Sequence, residues 1–182
     1  MKANCCIPFM YTISKSLFLL LFPALTYAQA SKETKEIQEK SKIENFSLKK
    51  GSLIKKDFAT LGYIKKVEVQ TLKLTDVLSG VTVSGIKLKT SGHFEKTCFL
   101  DADEIEGFVK SGKYLLKSLK PSDNYVEYQF TSRDGFQAGA CQHKNEWSYF
   151  LKMEKSDNDS YIFLEQEDFE KLVAMVAKAK VK

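Results

Sequence analysis

The sequence predicts an α+β domain built from two tandem strand-strand-strand-strand-helix units. Three observations carry that expectation. Stretches of period-two alternation recur along the chain, which is the pattern of half-buried strands. Two amphipathic stretches at helical spacing interrupt them. The segment around the first helix start also reappears about 64 residues later: Phe99-Leu100-Asp101-Ala102-Asp103-Glu104-Ile105-Glu106-Gly107-Phe108-Val109 matches Phe163-Leu164-Glu165-Gln166-Glu167-Asp168-Phe169-Glu170-Lys171-Leu172-Val173 in residue class at nearly every position. The same shift carries Val81–Thr90 onto the strand around Trp147.

The elements follow in order. Residues 1–28 read as a secretory signal peptide. Lys2 and Lys15 supply a basic start, and Ser16–Leu25 is an apolar run too short to span a bilayer. Small residues at Thr26 and Ala28 place cleavage after Ala28, with Ala30 as a second position. The chain is therefore expected to be exported. Residues 29–45 are rich in lysine and glutamate and read as a polar leader or frayed helix, outside the core. Residues 46–182 form the single α+β domain, with repeat units at about 51–120 and 121–182.

Ser52–Ala59 opens the first unit. In Lys65–Asp76 the apolar phase moves from Val67 and Val69 to Leu72 and Leu74, which predicts a bulge near Thr71. Val81–Thr90 switches similarly at Gly85. Glu95–Leu100 is a short fourth strand. Asp101 with Glu104 three residues on reads as a capping box opening a helix. Ile105, Phe108, Val109, Leu115, Leu116 and Leu119 mark its inner face, and Pro121 ends it. The second unit begins with Tyr125–Thr131. Asp134-Gly135 is a tight-turn signal, and Phe136, Ala138 and Ala140 form the next apolar face. Trp147, Tyr149, Leu151 and Met153 give the cleanest alternation in the chain. Tyr161–Leu164 and a closing helix through Phe169, Leu172, Val173 and Val176 complete it.

Composition narrows the function classes. With 43% hydrophobic and 28% charged residues, the chain can bury a core and is not disordered throughout. The formal charge of +5 falls by two once Lys2 and Lys15 leave. No basic stripe stands out, and Arg133 is the sole arginine, which disfavours bidentate phosphate or base recognition.

Candidate chemistry is sparse. Cys98 and Cys141 remain after the signal, in a compartment that permits disulfides; one bridge and two separate thiols both stand open. His93, Cys98, Cys141 and His143 match no compact zinc spacing. Cys141 with His143, two apart on one strand, lacks an orienting third group for nucleophilic catalysis. Asp157-Asn158-Asp159 lacks the glycine and glutamate of a calcium loop and reads as a turn. The repeated acids suit helix first turns. Trp147, Tyr149, Tyr125, Tyr128 and Phe130 either stack a ligand ring or fill the core. No cofactor or metal is expected.

Two tandem ββββα units resemble the Whirly-type fold of single-stranded DNA-binding coactivators and plant Whirly proteins. The stretch FLDADEIEGF at Phe99–Phe108, with Ser132–Gly139 and Glu167–Leu172, is similar to a family of exported bacterial proteins with no assigned function. The resemblances imply fold and location but no catalytic residue. The resulting expectation is a non-enzymatic exported binding or accessory protein. Its partner would be a protein or envelope component. Single-stranded nucleic-acid binding is the alternative, and an enzyme ranks last.

Overall fold

A computed structural model describes residues 40–92, 95–144, 146–179 and 181. The signal segment 1–28, its cleavage after Ala28 and the leader up to residue 39 lie outside the described residues, as does His93. Among the described residues no helix is long and apolar enough to cross a membrane.

The chain runs α1 (Lys42–Ser47), β1 (Ile54–Ile64), β2 (Val67–Asp76), β3 (Thr82–Thr90), β4 (Thr97–Asp101), α2 (Ile105–Ser118), β5 (Glu127–Thr131), β6 (Gln137–His143), β7 (Glu146–Lys152), β8 (Tyr161–Leu164) and α3 (Gln166–Lys178). Strands β1-β2-β3-β4 and β5-β6-β7-β8 form two four-stranded antiparallel meanders, each followed by a helix. The tandem ββββα organisation is therefore as the alternation and the repeat predict. The repeat maps β3 on β7, β4 on β8 and α2 on α3. It is least faithful in the first hairpins, where β1 and β2 have 11 and 10 residues against 5 and 7 for β5 and β6.

The two phase changes have a different cause from the bulge expected near Thr71. Strand β2 pairs with β3 without a register break from Val67↔Thr90 to Thr75↔Thr82. The one irregularity in β1 and β2 lies between Thr60 and Gly62. The sheet is instead covered on opposite faces at its two ends. Val67, Val69, Ile86, Leu88, Cys98 and Leu100 face the main core, which they share with Phe108 and Leu115 of α2, Ala138, Tyr149 and Leu151 of the second sheet, and Phe169, Leu172 and Val176 of α3. Leu72 and Leu74 point the other way, into a small second core with Ile43 and Phe46 of α1, Val83 and Phe99. Alternation along a strand is strict, so moving the cover from one face to the other shifts the apolar phase by one residue.

That second core revises the boundary of the leader. Ile43, inside the polar stretch, is 1% exposed. Ser41 caps α1, its Oγ accepting the Glu44 N–H at 2.9 Å. Gly85 sits under Ile43. A Cβ there would stand 2.5 Å from Ile43 Cδ1 and 2.2 Å from the Leu100 carbonyl oxygen. Glycine thus lets α1 close on the sheet. Gly112 serves α2 in the same way against Val173 of α3, whose Cγ2 lies 2.5 Å from where a Cβ would be. Each large side chain buried in these cores contributes about 1.5–3 kcal/mol.

Asp101 does not cap α2. It closes β4, and Glu104 stands at the N-cap without a side-chain cap bond. The Asp101 carboxylate turns instead to α1, as set out below.

Candidate binding groove

Helix α2 has two working faces. Phe108, Gly112 and Leu115 point inward and are buried. One step around the helix, Gly107, Ser111 and Tyr114 face β5. Strand β5 alternates in turn. Tyr128 and Phe130 face α2, while Glu127, Gln129 and Thr131 lie on the opposite face, where the Gln129 amide donates to Thr131 Oγ1 at 3.2 Å. The Phe130 ring meets Phe108 edge-on at 5.5 Å, Tyr114 meets Tyr128 at 6.2 Å, and Tyr128 meets Trp147 at 5.8 Å. Between helix and strand runs a groove of about 310 Å³, lined by Lys110, Ser111, Tyr114, Leu115, Tyr128, Gln129 and Phe130. Tyr114 and Tyr128 are 52% and 41% exposed. Behind Tyr128, the Trp147 Nε1–H is buried with no acceptor among the described residues. A concave, mostly apolar site with a few converging polar groups is the usual form of a ligand site.

A hollow of about 540 Å³ beside the end of α3, lined by Ile105, Glu106, Val109, Lys110 and Lys113 among others, holds no aromatic side chain. Another of about 460 Å³ is lined by Lys66, Thr90, Lys96, Asp157 and Asp159 among others, and there Lys96 and Asp157 are spent on each other. Lys96 pairs with Glu154 and, at 2.9 Å, with Asp157. Those partners raise the Lys96 pKa, and Lys96 lowers that of Asp157. Asn158 accepts from Lys152 at 3.1 Å. The Asp157-Asn158-Asp159 loop is therefore a lysine-bound turn, Asp157 accepting from the Asp159 N–H at 2.8 Å.

The acids repeated in sequence part company in the structure. Asp101, 1% exposed, accepts the Lys42 N–H at 2.7 Å and the Ile43 N–H at 3.1 Å, and it pairs with the Arg133 guanidinium. Arg133 also reaches Asp103 at 3.2 Å, and Lys42 Nζ reaches the same carboxylate at 2.7 Å. These two cations, Lys42 foremost, hold Asp103 down to about 2. Glu104 accepts the Asp101 N–H at 2.9 Å and the Arg133 N–H at 2.6 Å. Asp134 accepts the Phe99 N–H at 2.9 Å, yet burial, with Glu44, Asp101 and Glu104 nearby, pushes it up to about 6. The junction ties α1, the end of the first sheet and the β5–β6 turn into one ion-pair cluster. It is a structural clamp, with its charges turned on each other.

Cys98 and Cys141 are free. The structure holds no bridge between them, and they face different ways. Cys98 sits in the main core of the first sheet. Cys141 pairs with Glu127 and Ser148, on the face of the second sheet opposite the core residues Ala140 and Tyr149. Burial raises both thiols, and Glu127 adds to the rise at Cys141, so neither is poised as a thiolate nucleophile. Among the described residues no cluster of His, Cys, Asp and Glu could hold a metal. Of the aromatics, Tyr149 is core and stacks on Phe169 at 4.9 Å. Tyr128 and Phe130 line the groove, and Tyr125 bonds Glu127 at 2.6 Å on the outer face. No protein family, curated protein or solved structure matches the chain.

The groove was only half visible in sequence. Tyr128 and Phe130 stand out by alternation, but Tyr114 does not. The signal was there in Gly107, Ser111 and Tyr114, a second stripe at helical spacing beside the apolar one.

Proposed function

We propose that the protein is a non-enzymatic binding or accessory protein that takes its ligand in the groove between α2 and β5. One observation carries the reading: exposed tyrosines converge there over an apolar floor, while the acids in the first-sheet and loop clusters are engaged in structural contacts. The proposal includes export, which rests on the N-terminal apolar run and its small-residue cleavage site, and a protein or envelope component as partner. The resemblance to exported bacterial proteins supports the same location.

The test passes envelope and culture-medium fractions over the immobilised full chain and over Tyr114→Ala and Tyr128→Ala. A component retained by the wild type and lost by both variants is the expected result. Equal retention by all three refutes the groove as the site. A second reading, single-stranded nucleic acid, is favoured by tyrosines flanked by Lys110, since stacking rings beside cations suit unpaired bases. It requires oligonucleotide binding that weakens steeply with salt, and absence of binding at low salt ends it.

A further inference from the structure

Resting on that groove reading, we propose that the occupant is an extended, acidic peptide segment of a partner protein that adds as a strand to the free edge of β5. The ladder fixes which way the β5 backbone points. The Gln142 N–H donates to the Val126 carbonyl at 2.9 Å, and the Ser132 N–H to the Phe136 carbonyl at 2.8 Å. Val126 and Ser132 thus sit at hydrogen-bonded positions, and the register places Tyr128 and Phe130 in phase with them. In an antiparallel pair the alternate residues aim N–H and C=O away from the partner strand. Glu127, Gln129 and Thr131 therefore present three sets of backbone groups outward, and among the described residues none receives a partner.

The other edges are guarded. At β4 the Phe99 N–H goes to Asp134 and the Asp101 N–H to Glu104. At β8 the Phe163 carbonyl accepts Lys65 Nζ at 2.8 Å. The β1 edge carries Lys55, Lys56 and Asp57 and the irregularity at Thr60–Gly62; charges and bulges of this kind deter pairing. Among the described strands only β5 combines an open edge with an adjoining groove lined by aromatic rings. Gln129 turns its side chain away, so its main chain lines the groove, which thereby reaches the edge itself. A strand added there places every second side chain beside Tyr128 and Phe130, facing Tyr114.

Charge selects the partner. Lys110 lines the groove, and Lys117 follows two turns on along the same flank of α2. Neither has an ion-pair partner among the described residues. Carboxylates on the incoming segment would complement them. A second copy of this chain would not: pairing β5 with β5 about a two-fold axis puts both α2 helices on one face of the joined sheet, lysines toward lysines.

The experiment selects binders from a pool of randomised short peptides on the full chain. Enriched peptides are expected to alternate apolar with polar residues and to carry Asp or Glu. Their binding should weaken with salt and fall roughly tenfold in Lys110→Glu. It should also slow hydrogen exchange at the amides of Glu127, Gln129 and Thr131. Gln129→Pro removes the central outward N–H, at an edge where proline is tolerated, and should abolish capture. Independently, N-methylation of the peptide on alternate amides should block binding in one phase and spare it in the other. No enrichment overturns the proposal, as does equal binding by Gln129→Pro and Lys110→Glu. A dimer dissolved by Gln129→Pro would make the occupant a second copy and also overturns it. A small molecule held by Gln129→Pro but lost by Tyr114→Ala ends strand addition while the groove reading stands. If Tyr114→Ala and Tyr128→Ala change nothing, the groove reading itself falls.

Discussion

Replacing Asp101 by alanine removes the acceptor of two α1 N–H groups and the most buried partner of Arg133. The carboxylate is 1% exposed, so the two α1 N–H groups gain no water in its place, whereas the Arg133 side chain, 25% exposed, does so in part. Each lost helix-start bond costs about 0.5–2 kcal/mol, and breaking a buried ion pair from one side costs about 3–5 kcal/mol. The contributions overlap, because Arg133 keeps Asp103, so the expected loss is about 3–5 kcal/mol. For a folded domain of this size that corresponds to a fall in Tm of roughly 10–15 °C, read by differential scanning calorimetry. Helix α1 should loosen first, so limited trypsin digestion should cut at Lys42 and Lys49 before the sheets unfold. Asp103→Ala is the control. Its carboxylate is 48% exposed, and its loss should cost less than about 1 kcal/mol. An Asp101→Ala melting point no lower than that of Asp103→Ala would refute the clamp.

Asp134 sets a pH dependence. Its folded pKa, about 6, lies above the ordinary aspartate value near 3.9. The folded state therefore holds the proton more tightly, and the ionised group opposes folding above pH 6. Stability should rise as pH falls from 7.5 towards 4 by about 1 kcal/mol from this group, after allowance for its partial exposure. Asp134→Asn, which keeps an acceptor for the Phe99 N–H, should raise Tm at pH 7.5 and lose that advantage at pH 4; a pH-independent difference would contradict it. Gly85→Ala drives a methyl into the Leu100 carbonyl and Ile43, so chemical denaturation should show a loss of about 1–3 kcal/mol or more. Thiol titration of the native protein should find Cys98 unreactive and Cys141 slow, with both reacting after denaturation. Rapid labelling of Cys98 in the native state would place it outside the core.

Much of the architecture was legible because alternation and helical spacing report directly on burial. Trp147, Tyr149, Leu151 and Met153 marked a sheet face, and the last three are buried in it. Ile105, Phe108, Val109 and Leu115 likewise marked the inner side of α2. What the pattern could not reveal was which face of a strand is covered, and by what. Leu72 and Leu74 looked like a slipped phase because the cover they meet, Ile43, belongs to a segment whose composition is that of solvent-facing leader. One isoleucine among lysines and glutamates carries no periodic signal, and its burial depends on a glycine forty residues away. Asp101 misled for a related reason. An aspartate three residues before a glutamate satisfies the local requirement of a cap, and nothing local says that its carboxylate serves a helix nearly sixty residues earlier. The open edge of β5 was equally hidden, since strand order and ladder phase are properties of the sheet and not of the five residues in it.

The carboxylate at the end of β4 also bears on how the chain reaches its fold. Asp101 belongs to the first module, but the guanidinium that answers it lies beyond the first helix, in the opening turn of the second. During synthesis from the N-terminus the earlier module emerges with Asp101 held by its leading helix alone and with Val69, Leu88 and Leu100 covered by α2 but lacking the second unit's share of the core. The two ββββα units share one main core, so a cut at Pro121 should release two fragments that recover native structure only when mixed.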